Sequence, residues 1–153
     1  NYSQGALGYV VPACAAAAVG DPDATVIGLG GDGSFHFNCG ELETYARLGV
    51  NVKLVIFNND VFGWIKGETA HVYHADFFAT DFGSVDYAAV ARGFGIKAFT
   101  IEDPEKITET LKEAFAYRGP VLIQVKVPDE SSVVPPVPRW IESAAKKGLP
   151  HTY

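Results

Sequence analysis

A chain of 153 residues with 48% hydrophobic and 20% charged residues lies within ordinary globular usage, so neither a disordered tail nor a collagen-like repeat fits it. Twelve Lys and Arg against eighteen Asp and Glu give a formal charge of -6, which offers no general attraction to nucleic acid or to an anionic membrane. A chain of this length buries roughly 68 to 70% of its unfolded surface, enough for a core without staples.

Two cysteines, Cys14 and Cys39, are too few for a disulfide framework, and no basic stretch leads into an apolar one at the start. The expected compartment is the cytoplasm. The most apolar run, Leu7 to Val19, is shorter than the ~20 residues of a membrane-spanning helix and contains Pro12. It reads as a buried helix, predicted from about Ala6. Asp21, Pro22 and Asp23 make a turn. Thr25 to Leu29 is a buried strand that empties into a tight loop, Gly30-Gly31-Asp32-Gly33. A helix from about Gly40 to Leu48 follows, with Gly49 placed to stop it.

Val52 to Phe57 is nearly continuous in apolar residues, as a parallel strand covered on both faces should be. It ends at Asn58, Asn59 and Asp60. Residues 61 to 83 lack clean periodicity and read as loop with one short helix. Ser84 is placed to cap a helix through Phe94, with Val85, Ala88, Ala89 and Phe94 inward. Ile96 to Thr100 is a short strand, Pro104 opens a helix to Tyr117, and Val121 to Val127 is the last strand. Alternating strands and helices predict a three-layer α/β/α fold with a mainly parallel sheet over residues 1–127. Residues 128–153, with three prolines between Val133 and Pro138, read as an extended C-terminal arm.

Both distinctive loops follow predicted strands, at the carboxyl ends where open α/β sheets place ligands. Asp32 supplies a hard anionic oxygen and Asn59 a neutral amide oxygen. With a main-chain carbonyl and two phosphate oxygens, such a set suits Mg2+, which favours six oxygens and seldom sits in an all-protein cage. The chemistry points to a metal-bridged diphosphate. A competing reading is a dinucleotide site, because Gly28, Gly30 and Gly33 fit G-x-G-x-x-G after a strand. That site wants a small-residue helix starting at once and an acidic residue about 20 positions on, whereas this loop runs into Ser34, Phe35, His36 and Phe37.

Gly31-Asp32-Gly33-Ser34, with 24 residues from Ser34 to Phe57 and then Asn58-Asn59, resembles the signature of thiamine-diphosphate enzymes in their C-terminal diphosphate-binding domain. The likeness is nearest to the acetolactate synthase and pyruvate oxidase group. It extends to Gly5-Ala6-Leu7-Gly8-Tyr9 with Pro12 and Ala13, to Phe35 and Asn38, to Glu41-Leu42 and Thr44, and to Gly119-Pro120-Val121-Leu122-Ile123.

The resemblance implies Mg2+ held by Asp32, Asn59 and the main-chain carbonyl of Val61. It implies diphosphate contacts from Gly33 and Ser34 and from the backbone at Phe62 and Gly63. Leu7 matches the apolar wedge that bends the cofactor, and the main chain around Gly5 and Leu7 would bind the aminopyrimidine. The implied activity is decarboxylation of a 2-oxo acid with transfer or ligation of the resulting unit. In the family, the glutamate that activates the aminopyrimidine lies on a separate pyrimidine-binding domain, usually of a neighbouring subunit. These residues contain no such domain. The chain is therefore expected to be a piece truncated at its N-terminus, or a subunit that pairs with another chain, inactive alone and working in a homodimer or homotetramer.

The sequence departs from acetolactate synthase after the paired asparagines, where Glu68 takes a tryptophan's place. Trp64, Lys66 and Glu68 are the candidates for substrate selection. Lys66-Gly67-Glu68 is also similar to the thiamine-diphosphate subunit of 2-oxo acid oxidoreductases, although that subunit carries cluster-binding cysteines. His71 and His74 form an H-x-x-H pair without a third metal ligand. His36, close behind the loop, is a candidate for proton transfer. Cys39 and Cys14 read as unreactive buried thiols.

Overall fold

The computed structural model describes residues 5–129, 131–133 and 138–146. The chain divides into two compact units, Asn1–Asn58 with Val85–Lys126, and Asn59–Ser84 with Val127–Tyr153.

The first unit holds a four-stranded sheet in the order β1-β2-β4-β3, with every neighbouring pair parallel. Its strands are β1 (Val26–Gly31), β2 (Val52–Asn58), β3 (Lys97–Ile101) and β4 (Val121–Lys126). Helix α1 (Val10–Gly20) precedes β1, and between the strands run α2 (Asp32–Asn38), α3 (Leu42–Leu48), α5 (Tyr87–Gly93) and α6 (Ile107–Ala116). Strand side chains alternate between faces. Leu54, Ile56 and Leu122 pack with α1, α2, α3 and α5, while Val55, Val121 and Ile123 pack with α6. The three-layer expectation is met.

Strand order follows from handedness. Crossovers through α2 and α3, and through α5, lie on one face and so advance in one direction across the sheet. The β3 to β4 connection reverses direction, and a right-handed crossover then requires the opposite face, where α6 is found.

Several boundaries differ from the sequence reading. Helix α1 begins at Val10 rather than Ala6, because Gly5 and Gly8 hold φ of 58° and 85°, incompatible with a right-handed helix. Pro12 then falls in the first turn, where its missing N–H costs nothing. Helix α2 starts directly at Asp32, where a loop was expected. Gly28 and Gly30 face α1: a Cβ on Gly28 would stand 2.6 Å from Cys14 Sγ, and one on Gly30 2.9 Å from Val10 Cγ1. These glycines serve close helix–strand packing. Gly49, at φ 62°, ends α3 as expected.

Helix α5 is capped by Asp86, whose Oδ1 accepts from the Ala89 amide at 2.8 Å, rather than by Ser84. The later start turns Tyr87, Ala88 and Ala91 inward and leaves Ala89 and Phe94 exposed. Lys53, fully buried inside the apolar run of β2, is satisfied by three oxygens: Asn51 Oδ1 at 2.8 Å and the carbonyls of Tyr117 and Gly119 at 2.7 Å. Burial pushes its pKa down.

In the second unit, α4 (Gly63–Glu68) continues into a π-helical turn, Thr69–Tyr73. An isolated antiparallel bridge joins Val61 and Asp81. Pro138–Lys146 forms α7, which corrects the expectation of an extended arm for those residues: Pro138 takes the first helical position, where its fixed φ suits a helix. Val134 to Val137, the centre of the proline-rich stretch, lie outside the described residues. No helix among the described residues is long and apolar enough to cross a membrane.

Candidate functional site

In the first unit, β1 and β2 end side by side, with Gly31 opposite Phe57. Asp32 therefore begins α2 at the carboxyl edge of the sheet. The residue is 2% exposed, and its Oδ1 accepts from the Gly33 amide at 2.7 Å. That bond occupies the Gly33 N–H, one of the donors expected to meet a diphosphate. Ser34 Oγ accepts from the Gly8 amide at 2.9 Å, which leaves its own hydrogen to donate.

Asn38 Nδ2 donates to the Gly8 carbonyl at 3.0 Å, so both backbone groups of Gly8 are held by α2. The structure thus brings the Gly5–Tyr9 segment and the Asp32–Ser34 segment together within one unit. Leu7, next to the fixed Gly8, is 48% exposed. A large apolar side chain standing in the open beside a rigid backbone suits the wedge expected there.

Asn58 and Asn59 divide their work. Asn58 is fully buried, and its Nδ2 donates to the Val85 carbonyl at 3.4 Å, tying the end of β2 to the residue before Asp86. In the second unit, Asn59 Oδ1 accepts from the Val61 amide at 3.2 Å, an Asx turn with Asp60 at φ 59°. The Val61–Asp81 bridge is made by Phe62 N to the Thr80 carbonyl and Phe82 N to the Asp60 carbonyl, both 2.8 Å. Its bonds flank Val61, so the Val61 carbonyl takes no part in the ladder. An amide oxygen and a carbonyl outside the ladder are hard oxygens of the kind Mg2+ takes, as by its chemistry is the buried Asp32 carboxylate of the first unit.

Of the candidates for substrate selection, Trp64 is 68% exposed, with Ile65 beside it at 57%. Lys66 is different. Its ammonium lies between Asp81 Oδ1 at 2.5 Å and Asp129 Oδ2 at 2.7 Å, with Phe77 5.1 Å away. Burial opposes its charge and the two carboxylates outweigh that, so its pKa stands above the ordinary lysine value. Hydrogen bonds from Lys66 and Thr80 hold Asp81 low. Burial raises Asp129, but Lys66 and the Ser131 amide bring it below the usual carboxylate range.

The two histidines of H-x-x-H go to backbone carbonyls: His71 Nε2 lies 3.1 Å from Val133 O, and His74 Nδ1 3.0 Å from Ala70 O. Among the described residues no group of three His, Cys, Asp or Glu is placed to hold a metal. His36 Nε2 lies 2.7 Å from the Tyr87 hydroxyl, a partner the sequence reading missed. Asp81 and Asp129 were missed too. Their separations from Lys66, 15 and 63 positions, carry no local signal. Cys14 and Cys39 are thiols, Cys14 buried and raised in pKa by that burial.

A parallel sheet with a buried aspartate directly after its first strand, and with an asparagine pair closing the next, defines an α/β domain of the diphosphate- and metal-binding class. Residues 1–125 match the family described as "Thiamine pyrophosphate enzyme, C-terminal TPP binding domain", and the chain belongs to that family. Among curated relatives, it is 34% identical over 147 residues to the acetolactate synthase large subunit of Porphyra purpurea, covering 95% of this chain and 25% of that protein. It is 30% identical over 135 residues to acetolactate synthase isozyme 1 large subunit of Escherichia coli (strain K12), 88% of this chain and 24% of that protein. It is 36% identical over 135 residues to the probable acetolactate synthase large subunit of Methanococcus aeolicus, 86% and 22%. The chain thus spans about a quarter of the length of these relatives. The dinucleotide and oxidoreductase-subunit readings are not favoured by these matches.

Proposed function

We propose that this domain holds thiamine diphosphate and Mg2+ in an enzyme that decarboxylates a 2-oxo acid and ligates or transfers the resulting unit, as the name acetolactate synthase carried by its relatives suggests. Asp32, Asn59 and the Val61 carbonyl are the metal ligands in this reading, with Gly33, Ser34 and the backbone at Phe62 and Gly63 toward the diphosphate. Gly5 and Leu7 face the aminopyrimidine. The observation that carries it is the Val61 carbonyl, excluded from the bridge next to an asparagine whose side-chain oxygen is already turned to the same residue.

When bound, thiamine diphosphate supplies the carbanion-stabilising chemistry, and the protein supplies orientation and electrostatics. The chain's own task is to anchor the metal and to support the bent cofactor with Leu7. Trp64 and Glu68 would face the substrate. The activating glutamate belongs to a pyrimidine-binding domain of the same polypeptide or of a partner, so the isolated domain does not turn over. Ile27, Leu29 and Phe57 stand 53%, 62% and 40% exposed on one face of the sheet, which supports a domain that works against further protein, in a homodimer or homotetramer. Two free thiols agree with a cytoplasmic setting.

The test is thermal. A ligand at 100 times its dissociation constant stabilises by ~2.7 kcal/mol, and a domain of this size shifts by roughly 2 to 4 °C per kcal/mol. In the full-length protein, thiamine diphosphate should raise the melting point by several degrees only when Mg2+ is present. The reading fails if Asp32→Ala keeps the whole shift.

A further inference from the structure

Lys66 does more than fill a buried place. A charge taken out of water must be paired, and Lys66 is paired twice, to Asp81 from one side and Asp129 from the other. Asp81 is fixed at both oxygens, since Thr80 Oγ1 donates to Oδ2 at 2.9 Å while Lys66 holds Oδ1. Asp81 is also the residue bridged to Val61.

That bridge is a single pair with two hydrogen bonds and an edge-on contact between Phe62 and Phe82, their ring centroids 4.5 Å apart. So small a piece of antiparallel structure has little stability alone. The Lys66–Asp81 bond ties residues 80–82 to α4, which itself begins two residues after Val61. The loop from Val61 to Lys66 is thereby closed on itself, by the bridge at one end and the ion pair at the other.

We propose that Lys66 is a positioning residue for the metal: through Asp81 and the bridge it fixes the Val61 carbonyl in the direction a cation needs. This rests on the reading of Val61 as a ligand. The bond to Asp129 has a separate role, holding the residue on which the amides of Ser131 and Ser132 turn back. In this proposal Lys66 serves the metal site, whereas the sequence expectation grouped it with Trp64 and Glu68 for substrate selection.

The experiment titrates Mn2+, as a stand-in for Mg2+, into the full-length protein with thiamine diphosphate present, and follows the free ion by electron paramagnetic resonance. Lys66→Met and Asp81→Asn should each weaken the metal by about tenfold, the low end of what outer partners of metal ligands contribute, with Lys66→Arg recovering most of it. Asp129→Asn should lower the melting point and leave Mn2+ affinity unchanged. Asp81 is 59% exposed in its side chain, so Asp81→Asn folds even where Lys66→Met does not. If Asp32→Ala and Asn59→Ala abolish binding while Asp81→Asn binds like wild type, the positioning role is overturned and the site reading stands. Equal weakening by Asp129→Asn also overturns it, because general loosening then explains the effect. Unchanged binding in Asp32→Ala removes the site reading and this proposal with it.

Discussion

Ser34 and Gly8 are joined by a hydrogen bond of 2.9 Å across 26 positions of sequence, with the Gly8 amide donating and the Ser34 hydroxyl accepting. With Asn38 on the Gly8 carbonyl, α2 grips a backbone residue that only glycine can occupy. At φ 85° an L side chain is strained, and a Cβ there would stand 2.6 Å from Asn38 Nδ2 and 2.9 Å from Phe37 Cβ. Gly8→Ala should destabilise the domain by about 2 to 4 kcal/mol, from backbone strain and overpacking together. Thermal melting without cofactor reads that loss directly.

Gln124 of β4 is buried, and its Oε1 accepts from the Ala88 amide at 3.1 Å. It satisfies a donor in the first turn of α5 that has no partner within the helix. Gln124→Leu keeps the volume and removes the acceptor, which should cost about 1 to 3 kcal/mol, the penalty of a buried unpaired N–H. Urea unfolding at unchanged slope would check it; a loss below about 0.5 kcal/mol would mean that water replaces the side chain.

The sheet was legible because β2 and β4 are apolar runs bounded by turn residues, and period and composition report burial on both faces. The paired loops were legible because Asp32 and Asn59 follow strands in a pattern that survives without its partners. The rest depended on three-dimensional neighbours. Gly28 and Gly30 fitted a ligand-binding motif by spacing alone, yet their missing side chains make room for Cys14 and Val10. Residues 61 to 83 showed no period because α4 passes into a π-helical turn, whose i to i+5 bonding shifts the apolar face, and because Lys66 points its charge inward. Asp86 took the cap from Ser84 through a choice of two residues that composition does not rank.

The Asp129–Lys66 pair should show itself in the pH dependence of stability. The folded pKa of Asp129 is lowered, so its stabilisation is complete above the unfolded value of about 3.9 and is lost as pH falls through the folded value. Lys66 is raised, so its share is complete below about 10.4 and is lost as pH rises through the folded value. The melting-point deficit of Asp129→Asn should therefore be flat between about pH 5 and 8 and should shrink as pH falls below about 3.9. A deficit that persists unchanged in acid would show that packing, not charge, is what the substitution removed.

Leu7 offers the sharpest check on how this domain handles the cofactor. A buried leucine cut to alanine costs about 2 to 5 kcal/mol, but Leu7 is 48% exposed in this domain, so Leu7→Ala should fold with little loss. Its neighbour Gly8 stays gripped by Ser34 and Asn38, so the backbone that carries the wedge does not move when the side chain is removed. The diphosphate end is anchored by other residues, Asp32 and Asn59 in our reading. Cofactor affinity in Leu7→Ala should therefore fall only slightly. Orientation should fall far more, because an amino group held away from the thiazolium carbon loses the proximity that proton transfer needs. Deuterium exchange at that carbon, measured in the full-length protein at saturating cofactor and Mg2+, separates the two effects. A folded, fully loaded variant with wild-type exchange would take Leu7 out of the mechanism.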